Sequence, residues 1–160
     1  MVNLFTFLVL TTSTLSILPC TITLPELLGI DKAVRCEAQA IIDEVNASGY
    51  EITDLKTYRP QETFSWHSYG RAMDINPMKN PCLGIGCTDP LSAKYKGNWQ
   101  SGKNGALTKT TVDIFKKYGW CWGGDWCGKK DYMHFSKPDT TISDWKYHDE
   151  CGISTCVYKF

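Results

Sequence analysis

Eight cysteines in a chain of 160 residues constrain this sequence more than any other feature. Cys20, Cys36, Cys82, Cys87, Cys121, Cys127, Cys151 and Cys156 are more than a cytosolic protein carries unless it uses them for metal or redox chemistry. Six of them fall into the close pairs 82/87, 121/127 and 151/156, with four or five residues between partners. Zinc knuckles place two to four residues between their cysteines, so these spacings favour short disulfide-closed loops. Cys82, Cys87, Cys121, Cys127, Cys151 and Cys156 are therefore the disulfide candidates. Eight cysteines allow about 105 connectivities, and nothing in the sequence selects one.

The N-terminus supports the oxidising compartment that disulfides need. The apolar stretch from Leu4 to Leu18 carries no charge and is interrupted by Thr and Ser. It falls short of the roughly 20 apolar residues that span a bilayer, and it reads as a secretory signal peptide that lacks the usual basic n-region. Ser16 and Thr23 are both acceptable cleavage points, and the cut after Ser16 keeps the cysteine count even. The expected organisation is a signal peptide within residues 1–23, then one domain over 24–160 with a cysteine-containing tail. Secretion without a stable membrane anchor follows, and the chain reads as a monomer. Lys plus Arg and Asp plus Glu each number 17, giving zero net charge. With no basic cluster, a nucleic-acid partner is excluded.

Along the mature chain the pattern predicts helices over Asp31–Ser48 and Thr108–Tyr118. Val34, Ala38, Ile41, Ile42 and Val45 mark one buried face of the first. Asp31 is its expected N-cap, and Gly49 its left-handed stop. Leu107, Thr111, Ile114, Phe115 and Tyr118 mark the second helix, and Gly119 ends it. Short strands are expected at Tyr50–Tyr58, Arg71–Ile75 and Asp131–Phe135. Residues 76–105, rich in Gly, Pro, Asn and Lys, read as a long excursion that Cys82 and Cys87 pin down. The expected fold class is α+β: a small antiparallel sheet with packed helices, stapled by disulfides.

Two of only three histidines sit in unusual company, in Ser65-Trp-His67-Ser-Tyr-Gly70-Arg-Ala72-Met-Asp74 and in Asp131-Tyr-Met-His134-Phe. Two imidazoles and a carboxylate, with one position left for water, form a common ligand set for catalytic zinc. His67, Asp74 and His134 could supply it. On one straight strand His67 and Asp74 would face opposite sides, so a turn must separate them, and Gly70 is where a reversal costs least. Asp131 could reach the site only if the backbone between it and His134 is kinked or helical. Spacing leaves other roles open: Asp74 as a turn cap, Asp131 as a solvated charge, and Trp66, Trp120, Trp122 and Trp126 as packing.

The string Ser65-x-His67-x-x-Gly70-x-Ala72-x-Asp74, followed by Asn80-Pro81 and by Asp131-x-x-His134, resembles the zinc peptidases that cut peptidoglycan stem peptides. These are the D-alanyl-D-alanine carboxypeptidases, the related dipeptidases and the L-alanyl-D-glutamate endolysins. The segment from Tyr118 through Trp120 and Gly124 to Trp126 looks like the endolysin branch. The resemblance covers about residues 35–136. It implies a hedgehog-like metallopeptidase fold with zinc in a cleft, held by His67, Asp74 and His134, with Asp131 as general base. It further implies that Arg59 holds the polarised carbonyl or a substrate carboxylate, that Ser65 supports the site through its hydroxyl, and that the substrate is peptidoglycan or a muropeptide. Bacterial and phage members are cysteine-poor, unlike this chain. A non-catalytic, disulfide-rich secreted binding protein on the same zinc scaffold is the alternative, and an acid kept at Asp131 speaks for turnover.

Overall fold

The computed structural model describes residues 20–62, 65–84, 86–88, 95, 98–139 and 141. The signal-peptide reading of residues 1–19, and Cys151 and Cys156 in the tail, lie outside them. The architecture is α+β. Helices α1 (Arg35–Ala47) and α2 (Lys109–Lys117) pack with a four-stranded antiparallel sheet, and a separate two-stranded ribbon completes the described fold. The strands are β1 (Leu55–Lys56), β2 (Ala72–Ile75), β3 (Cys82–Gly84), β4 (Cys121–Trp122), β5 (Lys129–Asp131) and β6 (His134–Ser136). The larger sheet runs in the order β1-β2-β6-β4, and β3 pairs with β5. Among the described residues no helix is long and apolar enough to cross a membrane.

Both helices form where their apolar stripes predict. Thr108 caps α2, its hydroxyl accepting from the Thr111 N–H at 3.1 Å, and Gly119 closes it at φ +74°. Gly49 ends α1 at φ +85°. The start of α1 differs from expectation. Asp31 caps a preceding turn, accepting from the Ala33 N–H at 3.0 Å, while its other oxygen accepts from Arg71 at 3.0 Å. Val34 holds the N-cap position with no side-chain cap, and the stripe that locates a helix says little about its first residue.

The strand readings need larger corrections. Only Leu55–Lys56 of the expected Tyr50–Tyr58 strand pairs in a sheet. The expected strand Asp131–Phe135 is two: a turn at Tyr132–Met133 separates β5 from β6, and the two join different sheets. The long excursion contains β3, which pairs Cys82 with Asp131 across the ribbon. Cys82 and Cys87 do form a disulfide, and Cys20 bonds to Cys36, fastening the start of the described chain to α1. Cys121 and Cys127 each take part in a disulfide as well, but not with each other, so the loop expected from their spacing does not form.

Leu27, Ile41, Ile42, Leu107, Phe115, Trp120 and Phe135 make one apolar core between the helices and the sheet, with the Phe115 and Phe135 rings stacked at 3.7 Å. Each such side chain contributes roughly 1.5–3 kcal/mol on burial. Strand β2 is buried throughout. Its Met73 and Ile75 enter this core, while Ala72 packs with Trp66 in a second cluster. Because side chains alternate along a strand, Asp74 shares the Ala72 face. The core thus covers one side of β2 and leaves the other for polar chemistry.

Candidate metal centre

Three segments bring His67, Asp74 and His134 together. A single 3-10 turn, Trp66–Tyr69, carries His67, and Ser65 caps it: its hydroxyl accepts from the His67 N–H at 3.3 Å. Gly70 then reverses the chain at φ +65°. A Cβ there would lie 2.6 Å from the Gly29 carbonyl oxygen, so both the conformation and the space demand glycine. The chain leaves this reversal as β2, and Asp74 pairs directly with His134 of β6. Directly opposed cross-strand residues hold their Cβ atoms about 4.5–5.5 Å apart, close enough for their tips to share one small ion.

The tips do converge. His67 Nε2 lies 3.0 Å from Asp74 Oδ1 and 3.2 Å from His134 Nδ1, and the latter two atoms are 3.2 Å apart. All three residues are buried. On its far side His67 Nδ1 is 2.5 Å from the Thr57 carbonyl oxygen. A carbonyl only accepts, so Nδ1 carries the proton, and in the neutral ring Nε2 presents a lone pair toward Asp74 and His134. A metal-ligating histidine is fixed in this way, by donating its other N–H to a carbonyl. With the His134 proton on Nε2, three lone-pair atoms face one another, an arrangement that a cation among them relieves. Ligands about 2.0–2.1 Å from a tetrahedral ion stand about 3.3 Å from each other, close to the measured triangle. The donor set and its size fit a zinc-like divalent ion.

The carboxylate is held ionised. Burial pushes the Asp74 carboxyl up, but the two adjoining imidazoles, which donate to it when their facing nitrogens carry protons, outweigh burial and hold it far below the usual range. Its second oxygen, Oδ2, receives Arg59 Nη2 at 2.9 Å, and Arg59 Nε is paired with Glu62 at 2.9 Å. Arg59 therefore grips the Asp74 carboxylate rather than standing clear of the site, and its backbone N–H also donates to the His67 carbonyl at 3.1 Å.

Asp131 ends β5, and the Tyr132–Met133 turn supplies the kink that the three-residue spacing to His134 requires. Burial pushes its carboxyl above the ordinary value, with His134, Asp74 and His67 all within electrostatic reach. Its Oδ1 is buried without a hydrogen-bond partner, an acceptor still to be used. Two further contributors leave no distinctive signal in the sequence. Thr57 acts through a backbone carbonyl, which any residue offers. Trp126 packs its ring 5.2 Å from that of His134, although its place in the sequence fits ordinary packing equally well.

Residues 59–137 match the family described as D-alanyl-D-alanine carboxypeptidase. Seventy residues are 40% identical to the peptidoglycan L-alanyl-D-glutamate endopeptidase CwlK of Bacillus subtilis, a match covering 44% of this chain and 37% of that enzyme. The chain thus matches little more than a third of its relative's length. No solved structure matches it significantly.

Proposed function

We propose that this chain, whose residues 59–137 match the family described above, is a secreted zinc peptidase that hydrolyses amide bonds in peptidoglycan stem peptides. The observation that carries the reading is the buried triangle of His67, Asp74 and His134, whose size and lone pairs suit one divalent ion. When bound, such an ion supplies Lewis acidity and lowers the pKa of a water from 15.7 to about 7.

The chain's own groups do the rest. Asp131 Oδ1 accepts the proton of the attacking water and returns it to the leaving amine; a carboxyl raised by burial suits both halves of that exchange. Arg59 fixes Asp74 through Nη2. A guanidinium has five N–H donors, and those not engaged by Asp74 or Glu62 are the ones to meet a polarised carbonyl or a substrate carboxylate. Ser65 serves by capping the turn that presents His67. An oxidising setting outside the cell suits the Cys20–Cys36 and Cys82–Cys87 bonds, and the first of them supports a mature chain that retains Cys20.

The test is to incubate purified protein, with and without added zinc, with a muropeptide mixture and to read the products by mass spectrometry. Loss of one alanine, loss of a dipeptide or release of a whole stem would each define the bond cleaved. Intact muropeptides in the presence of zinc-loaded protein would favour the non-catalytic alternative.

A further inference from the structure

The turn that joins β4 to β5 lies directly against Asp131. Gly123 is buried, and a Cβ built on it would overlap the Asp131 carbonyl oxygen and sit 3.0 Å from the Asp131 Cβ. Gly123 does not need glycine for its backbone: its φ is not positive, in contrast to Gly70. What the position requires is the missing methyl. Next to it, Trp122 donates from Nε1 to the carbonyl oxygen of Tyr132 at 2.9 Å, gripping the residue that follows Asp131. On the other side, Asp131 is paired in register with Cys82, which the Cys82–Cys87 bond holds.

Among the described residues nothing comparable braces the carboxylate itself, whose Oδ1 has no hydrogen-bond partner and whose nearest ion-pair contact is Lys129 Nζ at 3.9 Å from Oδ2. A general base must lie within about 2.6–3.2 Å of the proton it takes. For Asp131 that accuracy has to come from its backbone, and the backbone is clamped by the Trp122–Gly123 turn and by β3. We infer that Trp122 and Gly123 are positioning residues for Asp131: the indole tethers the chain just after the base, and the bare Cα lets the turn close onto the base's own peptide. This rests on the reading of Asp131 as the base.

Gly123→Ala tests it, because alanine tolerates the local φ and the added methyl acts through its clash with the Asp131 peptide. In the full-length, zinc-loaded protein, kcat on a defined muropeptide should fall on the order of tenfold or more, since a misplacement of about 1 Å can cost about a hundredfold. KM and bound zinc should stay as in the wild type. Amide hydrogen exchange should quicken at residues 129–133 and not at residues 72–75. In an Asp131→Asn background the same change should lose its effect on the residual turnover, since it acts through Asp131. Trp122→Phe, which keeps a ring and removes the bond to Tyr132, should give a smaller fall in kcat with the same dependence on Asp131, and it carries the test if Gly123→Ala does not fold. An unchanged kcat in both variants while Asp131→Asn is inactive would overturn the positioning role alone, as would a fall that persists in the Asp131→Asn background or unchanged exchange at 129–133. Full activity of Asp131→Asn would overturn the reading of the base and this inference with it.

Discussion

Two buried polar clusters, one around Asp74 in β2 and one around Asn76 and Asn80 just after it, are built on opposite principles. Around Asn76 and Asn80, polar groups close on themselves. The Asn76 Oδ1 accepts from the N–H groups of Thr53 and Asp54 at 2.8 and 2.9 Å, and its Nδ2 donates to the Glu51 carbonyl at 2.9 Å and to Tyr50 Oη at 3.1 Å. Asn80 donates to the Ile75 carbonyl at 2.9 Å and accepts from the Leu107 N–H at 2.8 Å, while Tyr50 Oη donates to the Gly105 carbonyl at 3.0 Å. Donors meet acceptors, and the cluster ties the loop before β1 to the segments after β2 and before α2. Around Asp74, Arg59 satisfies Oδ2, but Oδ1 faces His67 Nε2, whose lone pair points at it, and His134 Nδ1, with no fixed donor between the three. Burial of polar groups is tolerable only when they are paired, so the first cluster is complete as folded and the second asks for a cation. The contrast separates a structural polar core from a site more sharply than burial or charge does alone.

Substitutions can break the contrast, and the largest effect falls on the metal side. His67→Ala should abolish both stoichiometric zinc and turnover, measured by elemental analysis and muropeptide digestion, while the chain still folds. Asp131→Asn should keep zinc and lose about 10²–10⁴ in kcat, the usual contribution of a positioned acid–base group. Addition of zinc should raise the stability of the wild type by about 4 kcal/mol at a thousandfold excess over Kd, and the rise should vanish in His67→Ala; thermal melts with and without metal would show it. Asn80→Ala should do the converse. It orphans the Leu107 N–H and the Ile75 carbonyl and should lower stability by about 2–4 kcal/mol, with the zinc-dependent rise intact on a lower baseline. Tyr50→Phe should have the smallest effect, about 1–2 kcal/mol in urea unfolding, with metal binding and kcat unchanged. A zinc-dependent rise lost in Asn80→Ala would mean that the two clusters are one coupled unit.

The same contrast explains what could be read from the sequence. Periodicity exposed both helices because an apolar stripe is a local signal, and Gly70 was legible because a reversal between His67 and Asp74 has few other solutions. The three ligand candidates carried the side-chain types of a metal site, and the structure brings their tips together. What stayed hidden was whatever depends on long-range pairing or on the backbone. The break at Tyr132–Met133 lies inside a run that reads as one strand, because β5 and β6 owe their existence to different partners, β3 on one side and β2 with β4 on the other. The Cys20–Cys36 bond joins residues with no spacing signature. Asn76, at φ +45°, looks like a loop residue in sequence, yet it is 2% exposed. Arg59 was legible as a charged residue near the site, but its grip on Asp74 depends on how β1 and β2 lie side by side.

One divalent ion held by His67, Asp74 and His134 is the centre of the proposed chemistry, and crystals of the zinc-loaded protein measured at the zinc absorption edge test it most directly. The prediction is a single strong anomalous peak about 2.0–2.1 Å from His67 Nε2, Asp74 and His134 Nδ1. A zinc-loaded crystal with no peak among these three side chains, or with its peak elsewhere in the chain, would contradict it.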